Sequence, residues 1–244
     1  MAEGHISFKL DLIVHLVDTT TGYSVSQKQA VIRGNGETLV LLERGTGYYI
    51  LINHGREDMH LEVNVKGYLP AEAEVSYANL SEDYPEVEIP LIPQIKSYGY
   101  TDLVTMEGNQ SDIESIDAIP LHNPWAKTAG YVERKLLLKL FNAKEMNEQT
   151  YALYHEDKMQ FEEFRIVQKK DKLTLKLFSP LVGDCKPEEQ VTRIIRGKTD
   201  QEGNYLLRVR EDGNGTEYLV RYVVRGNAKY KRISFDHPED RRLE

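Results

Sequence analysis

Ile6-Ser7-Phe8-Lys9-Leu10-Asp11-Leu12-Ile13-Val14-His15-Leu16-Val17 carries the clearest secondary-structure signal in the chain. Every second position from Ile6 to Leu16 is apolar, with Ser7, Lys9 and Asp11 between. That is the period of a β-strand with one face on a core; a helix needs its apolar residues three and four apart. Ile13 and Val17 break the alternation and predict burial on both faces toward the strand's end.

Outward from this strand, short β-type runs recur at 30–32, 38–42, 48–52, 61–65, 72–77 and 86–91. Gly34-Asn35-Gly36, Gly45-Thr46-Gly47, Asn53-His54-Gly55 and Gly67 separate them, residues that accept tight turns and positive φ. About seven short strands in under about 100 residues is the pattern of an antiparallel sandwich. Pro90 and Pro93 close that unit, since proline cannot continue a central strand. Runs resume at 135–141, 150–154, 164–167, 173–178, 191–195, 205–209, 217–224 and 230–235. Lys169-Lys170-Asp171-Lys172 and Asp212-Gly213-Asn214-Gly215 read as hairpin turns, and 142–149 as one or two helical turns. Between the two sets, residues 94–130 carry Tyr98, Tyr100, Trp125 and acidic residues without a clear period, and read as a connector.

The fold expected is therefore mainly β: a sandwich over 1–93, an irregular connector over 94–130, and a second sandwich-like domain over 131–244. Charge supports a division. Residues 1–130 hold 8 Lys and Arg against 19 Asp and Glu, a balance of −11, while 131–244 hold 23 against 20, giving +3 and recovering the total of −8. Such opposite signs can draw identical copies together head to tail. The 15 tyrosines, against one tryptophan, suit pleated half-buried surfaces and also protein contacts.

Several function classes lose support. No stretch approaches the roughly 18 uninterrupted apolar residues of a membrane span. A lone Cys185 and a start without a basic-then-apolar leader predict a cytoplasmic protein, or one in a particle assembled in the cytoplasm. Asp58 and His60, two apart on a strand with His54 nearby, fall short of a metal ligand set. Cys185 lies beside Lys186 but in no Cys-His signature. Gly197-Lys198-Thr199 matches the end of a phosphate loop, with Thr192 where the first glycine is needed. Arginines from Arg193 to Arg232, interleaved with Tyr218, Tyr222 and Tyr230, decorate successive strands as a nucleic-acid face would. Glu202, Glu211, Asp212 and Glu217 interrupt them, so nucleic acid is not expected, nor is any cofactor or metal.

The first module resembles the carboxypeptidase regulatory-like, or prealbumin-like, β-sandwich domains. The likeness rests on the first strand running into Leu16-Val17-Asp18 and Thr21-Gly22, on Gly47-Tyr48-Tyr49, on Val63, Val65 and Gly67-Tyr68-Leu69-Pro70, and on Pro90-Leu91-Ile92-Pro93. Thr199-Asp200-Gln201-Glu202-Gly203-Asn204-Tyr205 repeats part of it. The resemblance implies an accessory sandwich without catalytic residues, placed beside enzymes, transporters or large assemblies such as phage-tail-like particles. The expectation is a structural or adaptor subunit working through protein–protein contacts or self-assembly, with Tyr98, Tyr100 and Trp125 as aromatic anchors. The alternative is carbohydrate binding, with Tyr48, Tyr49 or Tyr77 as stacking platforms.

Overall fold

A computed structural model describes residues 9–25, 30–45, 47–94, 103–132, 135–144, 146, 150–210, 217–234 and 242–243. The chain is mainly β and divides into two compact units, Met1–Thr101 and Asp102–Glu244. Among the described residues no helix is long and apolar enough to cross a membrane.

The first unit holds β1 (Leu10–Asp18), β2 (Val31–Gly34), β3 (Glu37–Thr38), β4 (Leu42–Glu43), β5 (Tyr48–Ile52), β6 (Met59–Asn64), β7 (Ala71–Val75) and β8 (Glu86–Leu91). They form two four-stranded sheets, ordered β4-β5-β1-β8 and β3-β2-β6-β7. Leu12, Val14, Leu16, Tyr49, Leu51 and Ile89 of the first sheet pack on Ile32, Leu61, Val63 and Val75 of the second. Alternation in β2, β5, β6 and β7 puts one face of each strand on that core. β1 pairs antiparallel with β5 and parallel with β8, so it is central, and both of its faces are buried from Asp11 onward. The solvated face expected at Asp11 is therefore closed: its carboxylate is fully buried and accepts from the backbone N–H groups of His54 (2.6 Å) and Gly55 (3.2 Å). The turn residues act as read. Asn35 and Gly36, at φ 50° and 83°, make the β2–β3 hairpin, where positive φ matches the strand twist. Gly47 has φ 75°, and a Cβ there would meet the Val25 backbone N at 2.9 Å, which explains the glycine ahead of Tyr48-Tyr49.

The second unit begins inside the stretch expected as connector. There lie β9 (Leu103–Asn109), β10 (Ile113–Pro120) and β11 (Ala126–Val132), followed by β12 (Leu137–Phe141), β13 (Thr150–His155), β14 (Gln160–Asp171), β15 (Thr174–Leu177) and β16 (Gln190–Thr192). The last five are β17 (Ile195–Arg196), β18 (Lys198–Thr199), β19 (Asn204–Arg210), β20 (Glu217–Val224) and β21 (Asn227–Ser234). Sheets β17-β10-β20-β21 and β18-β19-β9 enclose one core, with Ile116, Ala118 and Val220 against Met106, Leu207 and Val209. Strands β11-β12-β15-β14-β13-β16 close into a barrel filled by Leu138, Tyr151, Leu153, Phe164, Ile166 and Val191. The barrel is thus an insertion: the chain leaves the sandwich after β10 and returns to it at β17. The connector reading fails because its acidic residues are matched from far along the chain. Asp117 meets Arg221, Asp112 meets Arg225, and Glu114 accepts the Gly226 N–H. Residues 142–144 and 146, within the stretch expected to form helical turns, are not helical; the rest of 142–149 lies outside the described residues, as does the turn at 212–215.

Candidate functional site

Of the three aromatic anchors, Tyr98 and Tyr100 lie outside the described residues. Trp125 is half-buried just ahead of β11, tied by its backbone to Val191 and Lys144 at 2.8 Å each. Its ring tilts against Tyr151 at 6.5 Å, with the Arg193 guanidinium 3.8 Å from its centroid and the Lys144 ammonium at 5.8 Å. A cation over an indole face is favourable, and Arg193 is itself buried. Of the sugar platforms, Tyr49 is buried, and the Tyr48 ring stacks on His15 at 4.1 Å.

Two histidine clusters emerge that no local pattern announces. In the first unit, His15 Nε2 lies 2.7 Å from Ser24 Oγ, and its Nδ1 3.4 Å from Glu86 Oε1. Carboxylate, imidazole and hydroxyl in that order can activate a serine. Here the imidazole is fully buried under Tyr48, closed off from any leaving group in solvent, and it ties β1 to its neighbours.

The second cluster sits at one end of the barrel. His155 Nδ1 is 2.8 Å from Glu189 Oε1, and Nε2 3.9 Å from Glu162 Oε2. Glu162 accepts the N–H groups of Val182 and Gly183, and Glu189 that of Lys186, at 2.9 Å. A Cβ on Gly183 would lie 3.0 Å from Glu162 Oε2. Beside them a cavity of about 450 Å³ is lined by Tyr154, Asp157, Lys186, Glu188 and Glu189, among others. Burial pushes the Cys185 thiol up, and Glu189 and Glu162 add to that against a hydrogen bond with Thr128. The thiol therefore stays protonated at neutral pH, the wrong state for a nucleophile.

The strongest electrostatic feature joins barrel to sandwich within the second unit. Arg221 on β20 grips Asp117 on β10 with Nε at 3.1 Å and Nη2 at 2.7 Å. Arg196 on β17 forks onto Glu163 on β14 at 3.0 and 2.5 Å and reaches Asp117 at 3.2 Å, while Arg221 also bonds Glu163. Burial alone would raise the Glu163 carboxyl, but the Arg196 and then the Arg221 guanidinium outweigh it and carry it down to about 2. At Asp117 burial wins and holds the carboxyl above its ordinary range. Arg221 also lies 4.6 Å from the centroid of Phe161, which meets Tyr230 edge-on at 5.7 Å. Ile119, Ala152, Ile194 and Leu219 complete this seam.

The remaining arginines are also engaged: Arg225 pairs with Asp112 at 2.6 Å, and Arg232 with Glu217. The interleaved basic stripe is thus largely internal pairing rather than a free phosphate track. Gly197 lies between two strands, where a Cβ would meet Ile116 Cγ2 at 2.6 Å, and no helix follows it as a phosphate loop requires. Asp58 caps Ser76 and Tyr77, and His60 faces Glu74 at 2.7 Å and Glu72 at 4.0 Å.

What faces solvent is different in kind. On the barrel, Phe141, Leu173 and Phe178 are 43%, 40% and 60% exposed. Lys139, Lys169, Lys170, Lys172 and Lys176 are exposed on the same strands and hairpin, and among the described residues none of them makes an ion pair. Aromatic residues ringed by cations suit a protein interface. The hairpin expected at Lys169–Lys172 turns later, at Lys172-Leu173: Lys169, Lys170 and Asp171 end β14, and Asp171 accepts the Leu173 N–H at 2.7 Å.

No family model and no curated protein matches the chain. Among solved structures it is similar to a chimeric titin Z1Z2-Z1Z2 tandem functionalized with a GRGDS exogenous peptide from fibronectin, at 9% identity over 84% of this chain and 81% of that one. The TM-score is 0.14, too low to bear on fold or function.

Proposed function

We propose that this chain is a non-catalytic structural or adaptor subunit that acts through protein–protein contacts. Its setting is a large assembly, such as a phage-tail-like contractile particle formed in the cytoplasm. The observation that carries the reading is the contrast between the inside and the outside of the second unit. Its reactive groups, His155 and Cys185, are covered or held in inert states, while large apolar side chains, and lysines that make no ion pair among the described residues, stand in solvent on a closed barrel. A closed barrel has no free edge to pair with other chains, so such a scaffold recognises partners by its side-chain face.

Purification of the tagged full chain from its native cells under gentle conditions tests this. A protein partner, or the chain itself, is expected to co-purify at fixed stoichiometry. Selective binding on a glycan array by a chain that brings down no protein would replace the adaptor reading with carbohydrate recognition.

A further inference from the structure

The first unit presents a face of opposite chemistry to the barrel. Residues 1–101 contain 7 Lys and Arg against 14 Asp and Glu, a balance of −7. Several of these carboxylates gather on the outer side of β6 and β7. The register sets Glu62 directly opposite Glu72, and His60 opposite Glu74. Like charges at directly opposed positions repel and destabilise a strand pair. Glu72 and Glu74 are 62% and 81% exposed, on a strand that borders its sheet. Arg33 stands 3.9 Å from Glu62 and His60 4.0 Å from Glu72, both loose contacts, and Val31, 43% exposed, is on the same side of β2 as Arg33. The face thus combines net negative charge, only partly offset by His60 and Arg33, with an apolar margin. It complements the barrel hairpin, where five exposed lysines outnumber Asp171 beside the exposed Phe141 and Leu173.

We propose that the hairpin face of the barrel in one copy docks on the β6–β7 face of the first unit of a second copy. The inference deepens the adaptor reading and rests on it, naming the partner as the chain itself. Both complementary surfaces are present in equal amounts in any solution of this protein, which favours a second copy over an unrelated acidic partner. Opposed charges steer the encounter and fix its register, and the apolar residues supply the burial that charge alone does not. The contact is heterologous, so each added copy leaves the same two faces free at the ends, and it propagates into a ring or a filament.

Sedimentation velocity of the full chain over a concentration series, at about 50 mM and about 500 mM salt, tests the proposal. The expected result is concentration-dependent growth of the sedimenting species at low salt, weakened roughly tenfold or more at high salt as the charges are screened. Two exposed-surface variants sharpen it. Lys169→Glu/Lys170→Glu/Lys172→Glu and Glu72→Lys/Glu74→Lys should each be monomeric alone, while a mixture of the two associates again. Circular dichroism matching the parent shows that neither variant has unfolded. A monomer under all conditions overturns the contact, as does association that both variants retain. Compaction at constant mass at low salt overturns it too, since the faces would then meet within one chain. A chain monomeric here but bound to partners in native cells loses this inference and keeps the adaptor reading; a chain alone in both settings loses both.

Discussion

Arg221→Met is expected to destabilise the second unit by about 3–5 kcal/mol, the cost of breaking a buried charge network by removing one partner. The side chain makes three charged hydrogen bonds and covers an aromatic ring, so its loss leaves Asp117, whose side chain is only 4% exposed, with Arg196 at 3.2 Å as its remaining cation in the network. Hydrogen bonds between charged groups strengthen one another in such surroundings, which is why a single deletion reads so large. The companion variant is decisive. Replacing all four members by apolar residues, as Asp117→Leu/Glu163→Leu/Arg196→Met/Arg221→Met, removes the desolvation penalty along with the attraction. It should recover most of the loss, because buried ion networks often roughly balance against a packed apolar substitute. Urea denaturation followed by tryptophan fluorescence measures both, since Trp125 sits in the barrel joined by this seam. A loss below about 1 kcal/mol for Arg221→Met would place the network among surface ion pairs of little weight.

The same network makes stability pH-dependent in a window set by Glu163. Its carboxyl lies at about 2 in the folded protein against an ordinary value of 4.5, so the contribution is fully present above pH 4.5 and is lost as pH falls to about 2. The shift corresponds to at most roughly 3 kcal/mol. Solvent at the 29% exposed side chain trims that figure. Asp117 runs the other way: its raised pKa means that its ionised form opposes folding at neutral pH, and that cost disappears on acidification. The parent's own curve therefore mixes two opposite slopes, and a difference isolates one of them. Glu163→Gln keeps the side chain's shape and an acceptor for Arg196 but does not titrate. The parent is expected to be more stable than Glu163→Gln at pH 6, with the gap closing between pH 4.5 and 2 when denaturation is repeated across that range. Parallel curves would remove Glu163 from the seam's energetics.

The seam also explains which parts of the fold could be read from the sequence. Local signals carried well: the alternation through Leu12, Val14 and Leu16, the Asn35-Gly36 turn, and the strands at Tyr48–Ile52, Glu86–Leu91 and Glu217–Val224 are where periodicity put them. Pairings set by distant residues did not. Asp117 resembles a solvated connector residue until Arg196 and Arg221 arrive, 79 and 104 positions later. Barrel closure depends on Ala126 meeting Val191, a contact with no local mark. The same holds for the sites. Trp125 reads as an anchor by its chemistry, but Arg193, which covers its ring, lies 68 positions away. The lysine hairpin was legible as a turn, whereas its neighbours Phe141 and Phe178 become a shared outer surface only once β12, β15 and β14 are side by side.

On the function proposed above, this protein works by assembling with protein rather than by chemistry of its own. Gradient sedimentation of gently lysed native cells, with mass spectrometry of every fraction that holds the chain, decides between the two. The account expects fast sedimentation in one defined peak, together with a constant set of structural proteins. Slow sedimentation as a free monomer, with no protein following it through the gradient, would contradict it.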